Sequence, residues 1–122
     1  MASDSDAVDP EATAREYYET VDAGDYERLV ELFAEDVRYD RPGQGVLEGR
    51  DRLLTFYREE RPLENGSHEV HDVLVDGDRV AVRGRFTGEL DGDRVAFGFA
   101  DFHEFEDGLI ARRYTFTDRD AV

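Results

Sequence analysis

Three aspartate–glycine pairs, Asp76-Gly77, Asp91-Gly92 and Asp107-Gly108, punctuate the second half of the chain at even intervals. Asp-Gly suits the positive backbone torsions of a two-residue hairpin loop, so the segments on either side must fold back on one another. From His68 onward the apolar period is two, and the turns divide this part into four strands of an antiparallel meander. The strand from Arg79 to Leu90 sets Val80, Val82, Phe86 and Leu90 on one face and Arg79, Arg83, Arg85 and Glu89 on the other. One face of the sheet is therefore core, and the other is wet or an interface.

The first half supplies the cover for that sheet. Asp9-Pro10-Glu11 reads as an N-cap, a first-turn proline and a dipole-matched acid, and Ala14, Tyr17, Tyr18 and Val21 share one helical face before Gly24. This predicts a helix over about residues 10–22. Asp25 caps a second helix with a Tyr26, Leu29, Val30, Phe33 stripe, and Val37–Arg41 changes to strand alternation ended by Pro42-Gly43. Gly49 opens a third helix carrying Leu53, Leu54 and Tyr57, which Pro62 stops. Residues 1–8 are small and acidic and are expected to form a tail, leaving residues 9–122 as one domain. Helices first, then a long curved sheet, is an α+β arrangement with the helices on one face.

Within the meander, Val95, Phe97, Phe99, Asp101, His103 and Phe105 share a parity, which sets a carboxylate on a face built for an interior. Such a carboxylate must be paired, hydrogen-bonded or neutral. In the last strand Ile110, Arg112, Tyr114 and Phe116 share one parity, with Ala111, Arg113 and Thr115 on the other. If the aromatic parity faces inward, Arg112 joins Asp101 inside. Two readings of Asp101 stay open: a neutral carboxyl with a raised pKa, or an ionised group neutralised by Arg112.

Composition excludes several function classes. Acidic residues outnumber basic ones 31 to 15, the formal charge is -16, and every basic residue is arginine. Nucleic acid and anionic membrane both need a basic footprint, so neither is an expected partner. Self-repulsion of this order is screened in concentrated salt, where the Debye length is about 3 Å at 1 M, and the composition resembles that of cytoplasmic proteins from salt-in halophiles. Cysteine is absent, which excludes disulfides and thiolate chemistry. The N-terminus lacks a basic region and an apolar region, and a cytoplasmic location is expected. His68-Glu-Val-His71 lacks the helical spacing of zinc-binding histidines, and three residues apart on a strand point to opposite sides. No metal site and no cofactor are expected.

Tyr17 before Asp22-Ala-Gly-Asp25, then Leu32-Phe33-Ala-Glu-Asp36-Val37, Asp40-Arg-Pro42, Leu47-Glu-Gly49 with Phe56-Tyr57, and Asp101-Phe-His-Glu-Phe105 follow one another in a familiar order. In these motifs the chain resembles the NTF2-like α+β cone fold, and within it the ketosteroid isomerase and SnoaL-like polyketide cyclase group, over residues 10–117. The resemblance implies three helices on a curved, mostly antiparallel sheet and a homodimer formed through the outer sheet face, with Arg83, Arg85 and Glu89 at the interface. Ketosteroid isomerase moves a proton with an aspartate base while a tyrosine and a neutral aspartate hold the oxyanion. Matched motif to motif, the tyrosine falls on Tyr17 and the neutral aspartate on Asp101. The base position before the proline carries Arg41, and Asp40, one residue earlier, lies on the opposite face unless a bulge near Pro42 turns it inward. Limonene epoxide hydrolases, which are also NTF2-like, use an Asp-Arg-Asp set, and Asp40, Arg112 and Asp101 imitate it loosely.

The expected function is cofactor-independent acid–base chemistry next to a carbonyl, on a hydrophobic small molecule. Tyr17, Asp40, Asp101 and His103 are the candidate catalytic residues; Tyr57, Phe97, Phe99, Arg112, Tyr114 and Phe116 are the candidate ligand contacts. The competing expectation is a non-catalytic small-molecule-binding or dimerisation module. A packed cone with a paired Asp101 favours that module, and an open apolar cavity with an unpaired Asp101 favours the enzyme.

Overall fold

A computed structural model of the chain describes residues 9–41 and 43–118. The expected tail over residues 1–8, and any bulge at Pro42 itself, lie outside the described residues.

Helix α1 spans Pro10–Ala23; the Asp9 side chain caps it by accepting the Glu11 N–H at 3.0 Å, and Gly24 closes it at φ 74°. Helix α2 is only Tyr26–Glu31, capped by Asp25, so Phe33 is the first residue of a strand and not the end of a helical stripe. Strand β1 (Phe33–Arg41) is followed by β2 (Gly45–Glu48), helix α3 (Arg50–Thr55) and a π-helical turn over Phe56–Glu60. The meander follows as β3 (Leu63–Asp76), β4 (Arg79–Leu90), β5 (Asp93–Glu106) and β6 (Leu109–Thr117). At Asp91-Gly92 and Asp107-Gly108 both turn residues have positive φ, the geometry that a right-twisted hairpin requires.

The six strands form one sheet in the order β2-β1-β6-β5-β4-β3. Every neighbouring pair is antiparallel except β1 with β6, which run parallel. The arrangement is the expected α+β cone, with one strand that the sequence did not suggest, β2 over Gly45–Glu48. Its four residues pair with β1 from Arg38↔Glu48 to Arg41↔Gly45.

The helices cover one face, and the core lies between. Ala14, Tyr17, Tyr18 and Val21 from α1 meet Val80, Val82 and Phe86 of β4 and Phe97, Phe99 and Phe105 of β5. Gly88 lets the Phe86 ring lie flat on its own strand, since a Cβ there would fall 2.6 Å from the ring. Among the described residues, no helix is long and apolar enough to cross a membrane.

One irregularity decides which residues reach the interior. Phe105 pairs with Ile110, but Glu104 pairs with Arg112, so β6 carries one extra residue, Ala111, at a bulge. Ile110 and Ala111 are consequently both buried, and beyond them the parity reverses. The inward set of β6 is Arg113 and Thr115. The expectation that Arg112, Tyr114 and Phe116 face inward is overturned: Arg112 binds Glu104 and Glu106 on the outer face, Tyr114 lies beside it there, and Phe116 is 58% exposed.

Candidate functional site

After a register shift between Phe33 and Arg38, strand β1 alternates from Val37 to its end, with Val37, Tyr39 and Arg41 buried and Asp40 exposed. Asp40 therefore does not enter the cone, and a guanidinium takes its place. Arg41 donates from Nη1 to the Tyr39 hydroxyl at 2.8 Å and stands 5.0 Å from the Phe56 ring. Beside them Arg113, 2% exposed, is sandwiched between the rings of Tyr17 and Tyr39 at 4.0 and 4.5 Å. Such stacking suits a weakly hydrated planar cation.

Asp101 is where these contacts converge. Its Oδ2 accepts from Arg113 Nη2 at 2.8 Å and from the Tyr18 hydroxyl at 2.6 Å, and its Oδ1 accepts from Thr115 Oγ1 at 2.6 Å. Thr115 spends its proton on Asp101, so the 2.9 Å contact to Tyr39 is donated by the Tyr39 hydroxyl. Burial alone would raise the Asp101 pKa. The Arg113 guanidinium and the Thr115 and Tyr18 hydrogen bonds outweigh it and hold the group below its ordinary value. Asp101 is thus ionised and paired, and its partner is Arg113, the neighbour of the arginine that strand parity had suggested.

His103 lies behind this network, fully buried, with Nε2 3.1 Å from the Tyr18 hydroxyl. Tyr18 donates to Asp101, so Nε2 carries the ring proton and donates to Tyr18. Burial, aided by Arg113, lowers the His103 pKa to about 3. At neutral pH it is a neutral core residue. Tyr17 hydrogen-bonds to Tyr57, and burial raises the pKa of both hydroxyls, that of Tyr57 to about 12. Tyr39 moves the other way: burial opposes its ionisation, but Arg113 and Arg41 prevail and lower its pKa.

A second arrangement sits at the mouth of the cone. At the end of α1, Asp22 accepts the backbone N–H of His68 through Oδ2 at 2.8 Å and contacts His68 Nδ1 through Oδ1 at 2.6 Å. A carboxylate only accepts, so the ring proton is on Nδ1 and Nε2 keeps its lone pair. The ring packs against Phe86, Tyr18 and Phe99 at 5.0, 5.3 and 5.4 Å, and its side chain is 10% exposed. Burial lowers the His68 pKa despite Asp22, which leaves the imidazole neutral at pH 7. His71 pairs with Glu69 on the surface instead.

Tyr17, His68, Phe97, Phe99, Asp101 and Arg113 line an inner cavity of about 20 Å³, room for a single water molecule. Asp22 lines a separate outer cleft of about 580 Å³ together with Tyr57, Arg58, Glu59 and Glu64. Arg61 and Leu63 border both.

A family model for the SnoaL-like domain matches residues 14–113. The chain belongs to the SnoaL-like domain family. A candidate ketosteroid isomerase from Kribbella flavida DSM 17836 is 31% identical and superposes with a TM-score of 0.73 over 90% of this chain and 78% of its own. An NTF2-like protein of unknown function from Burkholderia pseudomallei K96243 gives a TM-score of 0.83 at 23% identity, over 89% of this chain and 90% of that one. An LEH-like epoxide hydrolase from M. tuberculosis gives 0.77 at 19% identity, over 88% and 80%.

In this SnoaL-like domain the fold brings together Tyr17, Tyr57, Phe97, Phe99 and Asp101 of the expected set. It leaves His103 sealed behind them and Asp40, Arg112, Tyr114 and Phe116 outside. Sequence reasoning missed Arg113, Tyr39 and the Asp22–His68 pair. His68 carried one usable signal: it stands where the period turns to two, on the strand that an apolar sheet face must extend. Nothing in the sequence placed Asp22 beside it, because 46 residues separate them.

Proposed function

We propose that this SnoaL-like domain is a cofactor-independent acid–base enzyme that moves a proton next to a carbonyl group of a small molecule held in the cone, with His68 as the base. The observation that carries this reading is the anchored imidazole. Two contacts to one carboxylate fix its tautomer and orientation, burial keeps it neutral, and Nδ1 is engaged by Asp22 of the outer cleft while the ring borders the inner cavity with Nε2 unprotonated. In the proposed step Nε2 takes a proton from the carbon beside the carbonyl. The resulting enolate oxygen is held by Arg113, and Asp101, Thr115 and Tyr39 keep that guanidinium in place. Asp101 positions Arg113 and is not itself the oxygen's donor, while the Tyr17 hydroxyl, accepting from Tyr57, gives its own proton to the oxygen. The test is solvent-deuterium incorporation into small enolisable ketones and keto acids, followed by proton NMR. His68→Gln and Asp22→Asn should each slow exchange by about 10²-fold or more, and His103→Phe should leave it intact. Unchanged exchange in His68→Gln would reject the assignment.

The small inner cavity and the fully engaged Asp101 favour a second reading, a non-catalytic ligand-binding or dimerisation module. It predicts ligand binding without exchange by the wild-type protein. On either reading we propose a homodimer formed through the outer sheet face, where Phe102 and Phe116 form an exposed edge-to-face pair at 5.9 Å. Light scattering in molar KCl should give twice the 14.0 kDa of one chain, and Phe116→Arg should return it to one.

A further inference from the structure

Charge is arranged oppositely inside and outside this chain. The sequence has a formal charge of -16, yet the side chains bordering the inner cavity include three arginines, Arg41, Arg61 and Arg113, and one carboxylate, Asp101. Arg113 gives Nη2 to Asp101, while its Nε and Nη1 are buried with no hydrogen-bond partner among the described residues. Arg61 also has a buried Nε without a partner there, and its Nη1 reaches the Leu63 carbonyl only at 3.4 Å. It rests over the rings of Tyr57 and Phe86 at 5.8 and 5.7 Å and makes no ion pair among the described residues. Buried donors left unmade in this way are costly, and an acceptor entering the cavity relieves that cost.

Arg61 is also the partition. It borders both the outer cleft and the inner cavity, directly after the π-helical turn and before Pro62. With room inside for only one water molecule, a ligand reaches His68 and Arg113 by displacing the Arg61 and Leu63 side chains. The guanidinium is held by ring contacts and one long hydrogen bond, so it can move with an incoming anion. Phe86, Phe97 and Phe99 supply the apolar part of a wall that also carries Tyr17, Tyr39, Thr115 and Thr117.

We infer that the cone selects a small organic anion, an enolisable keto acid in chemical class, and that Arg61 receives its carboxylate at the partition while the carbonyl oxygen meets Arg113. This deepens the proposed function and rests on His68 as the base. The proton leaves the carbon beside the ketone for His68 Nε2, and the C–H electron pair becomes the enolate double bond. The carbonyl oxygen gains the charge, and return of a proton or deuteron from the imidazolium restores the keto acid. No oxidant or reductant is needed. Two guanidiniums match the two negative charges of that intermediate.

The experiment compares 2-oxobutanoate with butanone, which has the same carbon chain length and no carboxylate, by saturation-transfer NMR for binding and by deuterium incorporation for turnover. The wild-type protein should bind 2-oxobutanoate at least about tenfold more tightly, the scale of one charge-assisted contact. Arg61→Gln should abolish that preference, Arg61→Lys should keep part of it, and Arg58→Gln, on the same turn, should keep all of it. Equal binding of the two compounds, or an undiminished preference in Arg61→Gln, would overturn the inference. The two proposals fail separately. Carboxylate preference without exchange supports anion selection and removes the base assignment; His68-dependent exchange of butanone as fast as that of 2-oxobutanoate does the reverse.

Discussion

Arg112 and Arg113 are neighbours in sequence, of one residue type, and both pair with carboxylates of β5, yet they belong to different regions of the molecule. Arg112 bonds Glu104 at 2.6 Å and Glu106 at 3.1 Å with its side chain 42% exposed. Arg113 bonds Asp101 at 2.8 Å with both side chains at 3%. On the outer face water and salt share the work of solvating the charges, and the pair is a weak ornament of the sheet. Inside, the same pairing supplies the opposite charge to two groups out of reach of bulk water, so its loss leaves one of them without a counter-charge.

That contrast can be broken at its strong end first. Arg113→Leu should cost about 3–5 kcal/mol in denaturant unfolding, because Asp101 is left buried without a counter-charge. Combining it with Asp101→Leu should recover a large part of the loss. A double variant as unstable as the single one would show that packing of the guanidinium between Tyr17 and Tyr39, not its charge, is what matters.

Acid should act on the interior next. His103 is held near 3 in the fold against an ordinary 6.5, so below 6.5 the unfolded chain takes up a proton that the folded chain refuses. Stability is therefore full above about pH 6.5 and falls as pH drops toward 3, by about 1.4 kcal/mol per unit. Asp101, lowered from 3.8, adds a loss of the same sign at pH values below that. Measured as unfolding free energy against pH, the limb between 6.5 and 3 should flatten in His103→Phe.

A smaller effect separates the two buried histidines. His68 is lowered from 6.5 by burial, so the proton-transfer rate should rise with pH through an apparent pKa below 6.5 and stay level at neutrality. A profile that instead follows the His103 value near 3, or that shows no acid limb, would argue against His68 as the base.

At the weak end, Arg112→Ala should leave the thermal midpoint unchanged in molar KCl. A loss there approaching that of Arg113→Leu would mean that the proposed dimer interface extends from Phe102 and Phe116 over Arg112, which light scattering on the same sample would show.

Much of this molecule was legible in the order of its residues. Asp9 and Asp25 capped helices where a short carboxylate before an apolar stripe should, the Asp-Gly pairs made the turns, and Asp101 lay in the interior because strand parity allowed nothing else. These are local or period-two properties, set by torsional preference and by the alternation of side chains across a strand. What lay beyond sequence was the exception to alternation and the meeting of distant segments. A single extra residue at Ala111 exchanged Arg112 for Arg113, and a bulge leaves no mark in a pattern of apolar and polar residues. Asp22 and His68 met because the end of α1 packs over β3, a contact made by the curvature of the whole sheet. The sequence by itself determined that a cone with a buried carboxylate would form. Only the tertiary structure decided which cation neutralises that carboxylate and which histidine faces the cavity, since both depend on register and packing summed over the fold.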